Sequence, residues 1–253
     1  MVLAALIGQS VPDQKRPAFE VATIKRNTSL DAGGSALFQP GGRFRVVNLD
    51  MRSLITSAYR TSSGQRLFNP QLIGAPDWLR VEHYDITAGV SRELAAQTSA
   101  ERFQQLPLLL QSLFEDRLKL KFHWETRELP VYALVMARSD GTFGPQFHRS
   151  SIDCGADRSK CRLQFLNGHI TALAISVDTL AAFLTGSLAR VVIDRTALTG
   201  LFDAELEWSP DQSSADKPSI FAAAQEQLGL KIESTRAPVE VLVIDHVERP
   251  TED

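Results

Sequence analysis

With 253 residues, 43% of them hydrophobic and 23% charged, the chain can bury a sizeable core, either as one large domain or as two small ones. A formal net charge of −3, with Lys and Arg scattered among Asp and Glu, argues against nucleic acid as a partner. Nothing is long and apolar enough to cross a bilayer in a helix, so the chain is expected not to be membrane-spanning.

In chain order, residues 2–8 form a short apolar run before a polar, Pro-containing stretch. The run has the character of the tail of a secretory apolar region. Residues 1–17 therefore read as a signal-peptide remnant and linker, and the mature protein as periplasmic or secreted. A strand is expected over 19–25. Residues 42–58 then read as a strand entering a helix: Phe44 and Val46 alternate at period two, and Met51, Leu54, Ile55 and Ala58 follow at helical spacing. Asp50 stands at the junction, where an oxygen-bearing cap is expected. A turn-rich approach, Gly74-Ala75-Pro76-Asp77-Trp78, leads to a strand over 83–88. An amphipathic helix over 110–118 runs into another strand, and a Thr126-Arg127 turn leads to a last one.

The same order returns after residue 160. Residues 168–184 align with 42–58 without a gap, and Ser176 stands at the capping position. Leu201-Phe202-Asp203 answers His83-Tyr84-Asp85, residues 220–231 answer 110–121, and Thr235-Arg236 answers Thr126-Arg127. Helix, strand, turn, strand implies a closing antiparallel hairpin in each half. The expected fold is α+β, with two pseudo-repeated β-α-β-α-β-β lobes and mostly antiparallel sheets. The first lobe covers 18–138, a connecting loop 139–161, and the second lobe 162–250. Leu54, Leu113, Leu118, Leu180 and Leu228 are expected in the core, and Arg52 and Asp178 on the surface. The two cysteines, Cys154 and Cys161, enclose a short polar loop and are expected to form a disulfide, as suits an exported protein. His148 and His169 stand at the wrong spacing to join them in a zinc site, so no metal is expected.

Segments such as Phe19-Glu20-Val21-Ala22-Thr23, Gly74-Ala75-Pro76-Asp77-Trp78, Leu118-Lys119-Leu120-Lys121, Leu198-Thr199-Gly200-Leu201-Phe202-Asp203 and Pro238-Val239-Glu240-Val241 occur together and in order. In these the chain resembles a family of exported proteins of unknown function that is expanded in soil Acidobacteria. The resemblance runs from Phe19 to about Pro250. In that family such domains stand alone or are attached to membrane-embedded sensor-peptidase modules, which implies a sensory role. At the level of pattern, each half also resembles the short N-terminal module of secretins and TonB-dependent transducers, a periplasmic protein-interaction domain.

No motif carries chemistry outright. There is no nucleophile elbow, no phosphate-binding or dinucleotide-binding glycine pattern, and no His-Glu-x-x-His. His123 and Glu125 stand two apart on one strand, and His83 and Asp85 do so on another. If the pairs met, they would make an acid/base or metal site, so these four are the candidate catalytic residues of a hydrolase reading. Aromatic and Arg side chains are the usual anchors of recognition. Trp78, Tyr84 and Trp124, with Arg45 and Arg127, are therefore the candidate ligand-binding residues. Aromatics on strands also fill cores. The favoured function is an extracytoplasmic recognition module with no cofactor, binding a small molecule or an envelope protein in a groove between the lobes. A hydrolase around His123, Glu125 and Asp85 is the alternative.

Overall fold

The computed structural model describes residues 16–29, 33–166, 168–210 and 217–251. The expected signal-peptide remnant lies, up to residue 15, outside the described residues. The chain divides into two compact units. The first holds residues up to 60, 74–123 and everything from 244 onward; the second holds 61–73 and 124–243. The expected connecting loop, 139–161, lies wholly within the second unit.

The first unit is built on a four-stranded antiparallel sheet in the order β1 (Val21–Asn27), β5 (His83–Gly89), β3 (Arg43–Asp50), β2 (Ser35–Phe38). Its residues alternate at period two, and the register sets Phe44 opposite Ala88 and Val46 opposite Ile86, so one face of the sheet is apolar and buried. Helix α1 (Met51–Ala58) leaves β3 at Asp50, whose carboxylate accepts the Ser53 N–H at 2.8 Å. Two short helices, α2 (Trp78–Val81) and α3 (Arg92–Ala95), precede the long α4 (Ser99–Arg117). The last of these starts in a capping box between Thr98 and Glu101 and packs against α1.

The second unit carries another antiparallel sheet, in the order β7 (Phe147–Arg149), β11 (Phe202–Glu207), β9 (His169–Ile175), β8 (Arg162–Leu166). Helix α5 (Val177–Leu188) leaves β9 at Ser176, which accepts the Thr179 N–H, and α6 (Ile220–Ala223) widens into a π turn over Ala224–Leu228. A further sheet runs β10 (Val192–Asp194), β6 (Lys121–Met136), β12 (Leu230–His246), β4 (Leu72–Ile73), with β10 parallel to β6 and β4 parallel to β12. The architecture is α+β with mostly antiparallel sheets. Leu54, Leu113, Leu118, Leu180 and Leu228 are all buried. Arg52 is half-buried rather than exposed, and desolvation lowers the pKa of its guanidinium.

The closing hairpins do not form. The Thr126-Arg127 and Thr235-Arg236 segments continue as single strands, β6 and β12. Neither segment offers a Gly, Asn or Asp to turn on. The proline that suggested a strand start is tolerated where no ladder bond is made. Tyr132 N–H reaches Val191 O at 2.8 Å on the β10 side, so Pro130, two residues earlier, faces the same side just beyond the end of β10. Pro238 stands likewise two residues before Glu240, whose carbonyl accepts the Gln71 side chain at 3.0 Å ahead of β4.

One irregularity occurs in both of the fully antiparallel sheets, β1-β5-β3-β2 and β7-β11-β9-β8. The β3–β5 register slips between Val46 and Leu49, where Asn48 adopts φ 50°, and the Asn48 N–H is taken by Asp85 Oδ1 at 2.9 Å. The β9–β11 register slips between Phe202 and Ala204, where Ala174 adopts φ 53°, and its N–H is taken by Asp203 Oδ1 at 2.8 Å. In each case a carboxylate supplies the partner that a bulge denies the backbone.

Candidate ligand site

Of the residues expected to do chemistry, Asp85 is tied to the backbone of a neighbouring strand. Asp85 accepts both the Asn48 N–H and the Asn27 side-chain amide, the latter at 2.8 Å. His83 is half-buried on β5, opposite Asn27 and Asp50. His123 is exposed, and its Nδ1 lies 2.8 Å from Asp245 Oδ1. Glu125 accepts a hydrogen bond from Arg127 Nε, its neighbour two along the same strand, and this raises the guanidinium's pKa. Trp124 is half-buried on β6, and Arg45 is exposed on β3. Among the described residues, no group of three or more His, Cys, Asp or Glu side chains is placed to hold a metal ion.

Trp78 and Tyr84 are buried in the first unit, in a cluster closed by residues the sequence did not single out. The Tyr84 hydroxyl donates to Glu82 Oε2 at 2.8 Å. Arg249 grips the same carboxylate, with Nη2 3.0 Å and Nε 3.2 Å from Oε1. Its guanidinium also covers the Trp78 ring at 5.4 Å from the centroid, and Arg26 stands 3.8 Å from Glu82. The hydrogen bonds from Arg249 and Tyr84 hold the Glu82 carboxyl below its ordinary range. Burial, then the bond to Glu82, pushes the Tyr84 phenol up. Glu82 is satisfied from three sides and Trp78 is covered, which suits a clasp on the C-terminal segment.

Open space suited to a ligand lies in the second unit, where residues 59–71 lead from α1 to β4. Thr61 N–H bonds Gln65 O at 2.9 Å around Gly64, whose φ of 79° suits glycine, and this makes a tight loop. The loop is tied down by Glu240, whose carboxylate accepts from Ser62 N–H at 2.9 and 3.0 Å and from Ser62 Oγ–H at 2.5 Å. Between this loop, α5 and β10 lies a polar hollow of about 300 Å³, lined by Ser63, Gln65, Gln71, Asp178, Asp194 and Glu240 among others. Its buried wall is fixed by Thr185 Oγ1, which accepts Val192 N–H at 2.8 Å and donates to Ala181 O at 3.0 Å. A second, apolar hollow of about 540 Å³ lies over the outer side of α5, lined by Phe68, Leu163, Phe165, Ala182, Phe183 and Gly186. Arg66, Phe68 and Ala182 line both.

The sequence profile of a family described as a protein of unknown function, DUF3738, matches residues 52–247. The chain belongs to the DUF3738 family. No curated protein and no solved structure was found to match it. Every residue lining the two hollows falls inside the DUF3738 span, whereas Arg26 and Arg249 of the Glu82 clasp fall outside it. Sequence reading missed Arg66, Phe68 and Gly186 because a loop and a helix more than a hundred residues apart form this site together. One local signal was present: Gly186 stands inside a helix, where glycine is unfavourable.

The expected disulfide is present between Cys154 and Cys161, just ahead of β8. No described helix is long and apolar enough to cross a membrane.

Proposed function

We propose that this DUF3738 chain is an extracytoplasmic recognition module, made of two copies of one unit, that binds a small molecule at the paired hollows of the second unit. The observation that carries this reading is the link 59–71. Its counterpart after α5 is only 189–191, so the longer link is an addition that the shared fold does not need. That addition walls the polar hollow and contributes Arg66 and Phe68 to the apolar one. The disulfide favours an oxidising compartment, which supports a periplasmic or secreted location. The test is a thermal-shift screen against sugars, amino acids, peptides, lipids and aromatic acids, because a ligand of the native state raises its melting temperature. Hits should raise the midpoint of the wild-type protein and not of Ala182→Leu, which narrows both hollows. Hits unaffected by Ala182→Leu, or no hit in any class, would overturn the reading.

A further inference from the structure

We propose that the apolar hollow takes an amphiphilic anion: an alkyl or aryl body bearing one carboxylate-type head group. This rests on the hollows being the recognition site and adds the chemical class of the ligand. Its volume, about 540 Å³, falls in the range of small-molecule sites. The walls are aromatic. Phe165 contacts Phe183 with ring centroids 5.3 Å apart and stacks on Trp208 at 6.0 Å, and Phe68 closes the side formed by the loop. Phe165 is nonetheless 57% exposed, which leaves apolar ring surface in water until something covers it.

Two details choose the occupant. The lining contains a single formal charge, the guanidinium of Arg66, set 5.9 Å from the Phe68 ring centroid, and no carboxylate. An apolar body seated on the rings brings an anionic head within reach of Arg66, whereas a cationic head would meet a like charge. The floor is the outer stripe of α5, at Thr179, Ala182, Phe183, Gly186 and Ser187. Gly186 has ordinary helical backbone, and a Cβ built on it would meet no atom within 4 Å. Neither backbone conformation nor packing demands glycine there, yet a large side chain would project into the hollow.

The test compares decanoate, decanol and decyltrimethylammonium by isothermal titration calorimetry below their aggregation concentrations, on wild type, Arg66→Gln and Gly186→Leu. Wild type should bind decanoate best and decyltrimethylammonium worst. Arg66→Gln should weaken decanoate by roughly three- to tenfold and leave decanol unchanged, since it removes one exposed charge contact. Gly186→Leu should abolish binding of all three while melting no lower than wild type, which shows that loss of binding is not loss of fold. Equal affinity for the anionic and cationic probes, undiminished binding by Gly186→Leu, or no binding of any probe would each overturn the proposal. If the probes fail while another compound stabilises wild type but not Ala182→Leu, the ligand class falls and the recognition site stands. If no compound does so, both fall.

Discussion

The two fully antiparallel sheets run through their elements in the same order, and they differ in how the chain leaves them. In both, an edge strand, a middle strand, a bulged strand and a second edge strand follow one another as β1-β5-β3-β2 and β7-β11-β9-β8. In both, the bulged strand feeds a helix through an oxygen-bearing cap, Asp50 or Ser176, and an aspartate of the middle strand holds the bulge. After the helix the two part. Helix α1 stops at Ala58 and a long link follows, whereas α5 continues to Leu188 and three residues suffice to reach β10. The long link and the extra turn of α5 contribute to the lining of the hollows, beside the earlier turns of α5 and residues of β8, β10 and β12. Features present in both halves are those the fold requires; features present in one are where a function specific to this chain is to be sought.

The sharpest way to break the comparison is in the core. Leu118 and Leu228 fall at matching positions of the two aligned stretches of sequence, just after α4 and at the end of the π turn, and each is 0% exposed. Leu118→Ala and Leu228→Ala should each cost about 2–5 kcal/mol of stability, as large-to-small core changes do. Chemical denaturation followed by circular dichroism measures both. A cost at one position several times that at the other would show that the two cores are not built alike.

The next effect concerns the aspartates. Asp85→Ala and Asp203→Ala each leave a bulge N–H without its acceptor, at Asn48 or Ala174, and should cost about 1–3 kcal/mol. Asp85 should be the more costly, because it also accepts the Asn27 amide at 2.8 Å, whereas His148 stands 3.6 Å from Asp203. Melting curves of the two variants decide between roles. If Asp85 were held for catalysis rather than for the bulge, Asp85→Ala would leave stability unchanged while its counterpart lost it.

What the sequence made legible follows from short-range rules. Asp50 and Ser176 were readable as caps because a cap needs only the N–H three residues on, and Phe44 and Val46 were readable as inward-facing because strand period is local. The Cys154–Cys161 bridge spans a short loop and was equally open to reading. β4 and β10, at two and three residues, are too short to show any period. The continuity of β6 and β12 was hidden by Pro130 and Pro238, whose harmlessness depends on where a neighbouring strand ends. The surroundings of the candidate site residues were hidden for a related reason. Asp85, Trp78 and Tyr84 are residue types that stand out in a sequence, but their partners Asn48, Arg249 and Glu82 are supplied by the fold, and those partners consume them.

The smallest effect carries the most information about function. Gly186→Ala adds one methyl group to α5 at a point with no atom within 4 Å, and it replaces a poor helix former with the best one. It should therefore stabilise the protein, by about 0.5–1 kcal/mol, less near the C-terminal end of the helix than in its middle. The equivalent place in the first half, counted from the aligned caps, is Arg60, already beyond the end of α1, so the first half has no helical glycine to relieve. On the proposed ligand site, a glycine that weakens its own helix without a positive φ or a close neighbour leaves the space that the ligand needs. Thermal melts of Gly186→Ala against wild type check the sign. A variant less stable than wild type would mean that the glycine serves the backbone of α5 after all, and the hollow over it would then be a by-product of packing.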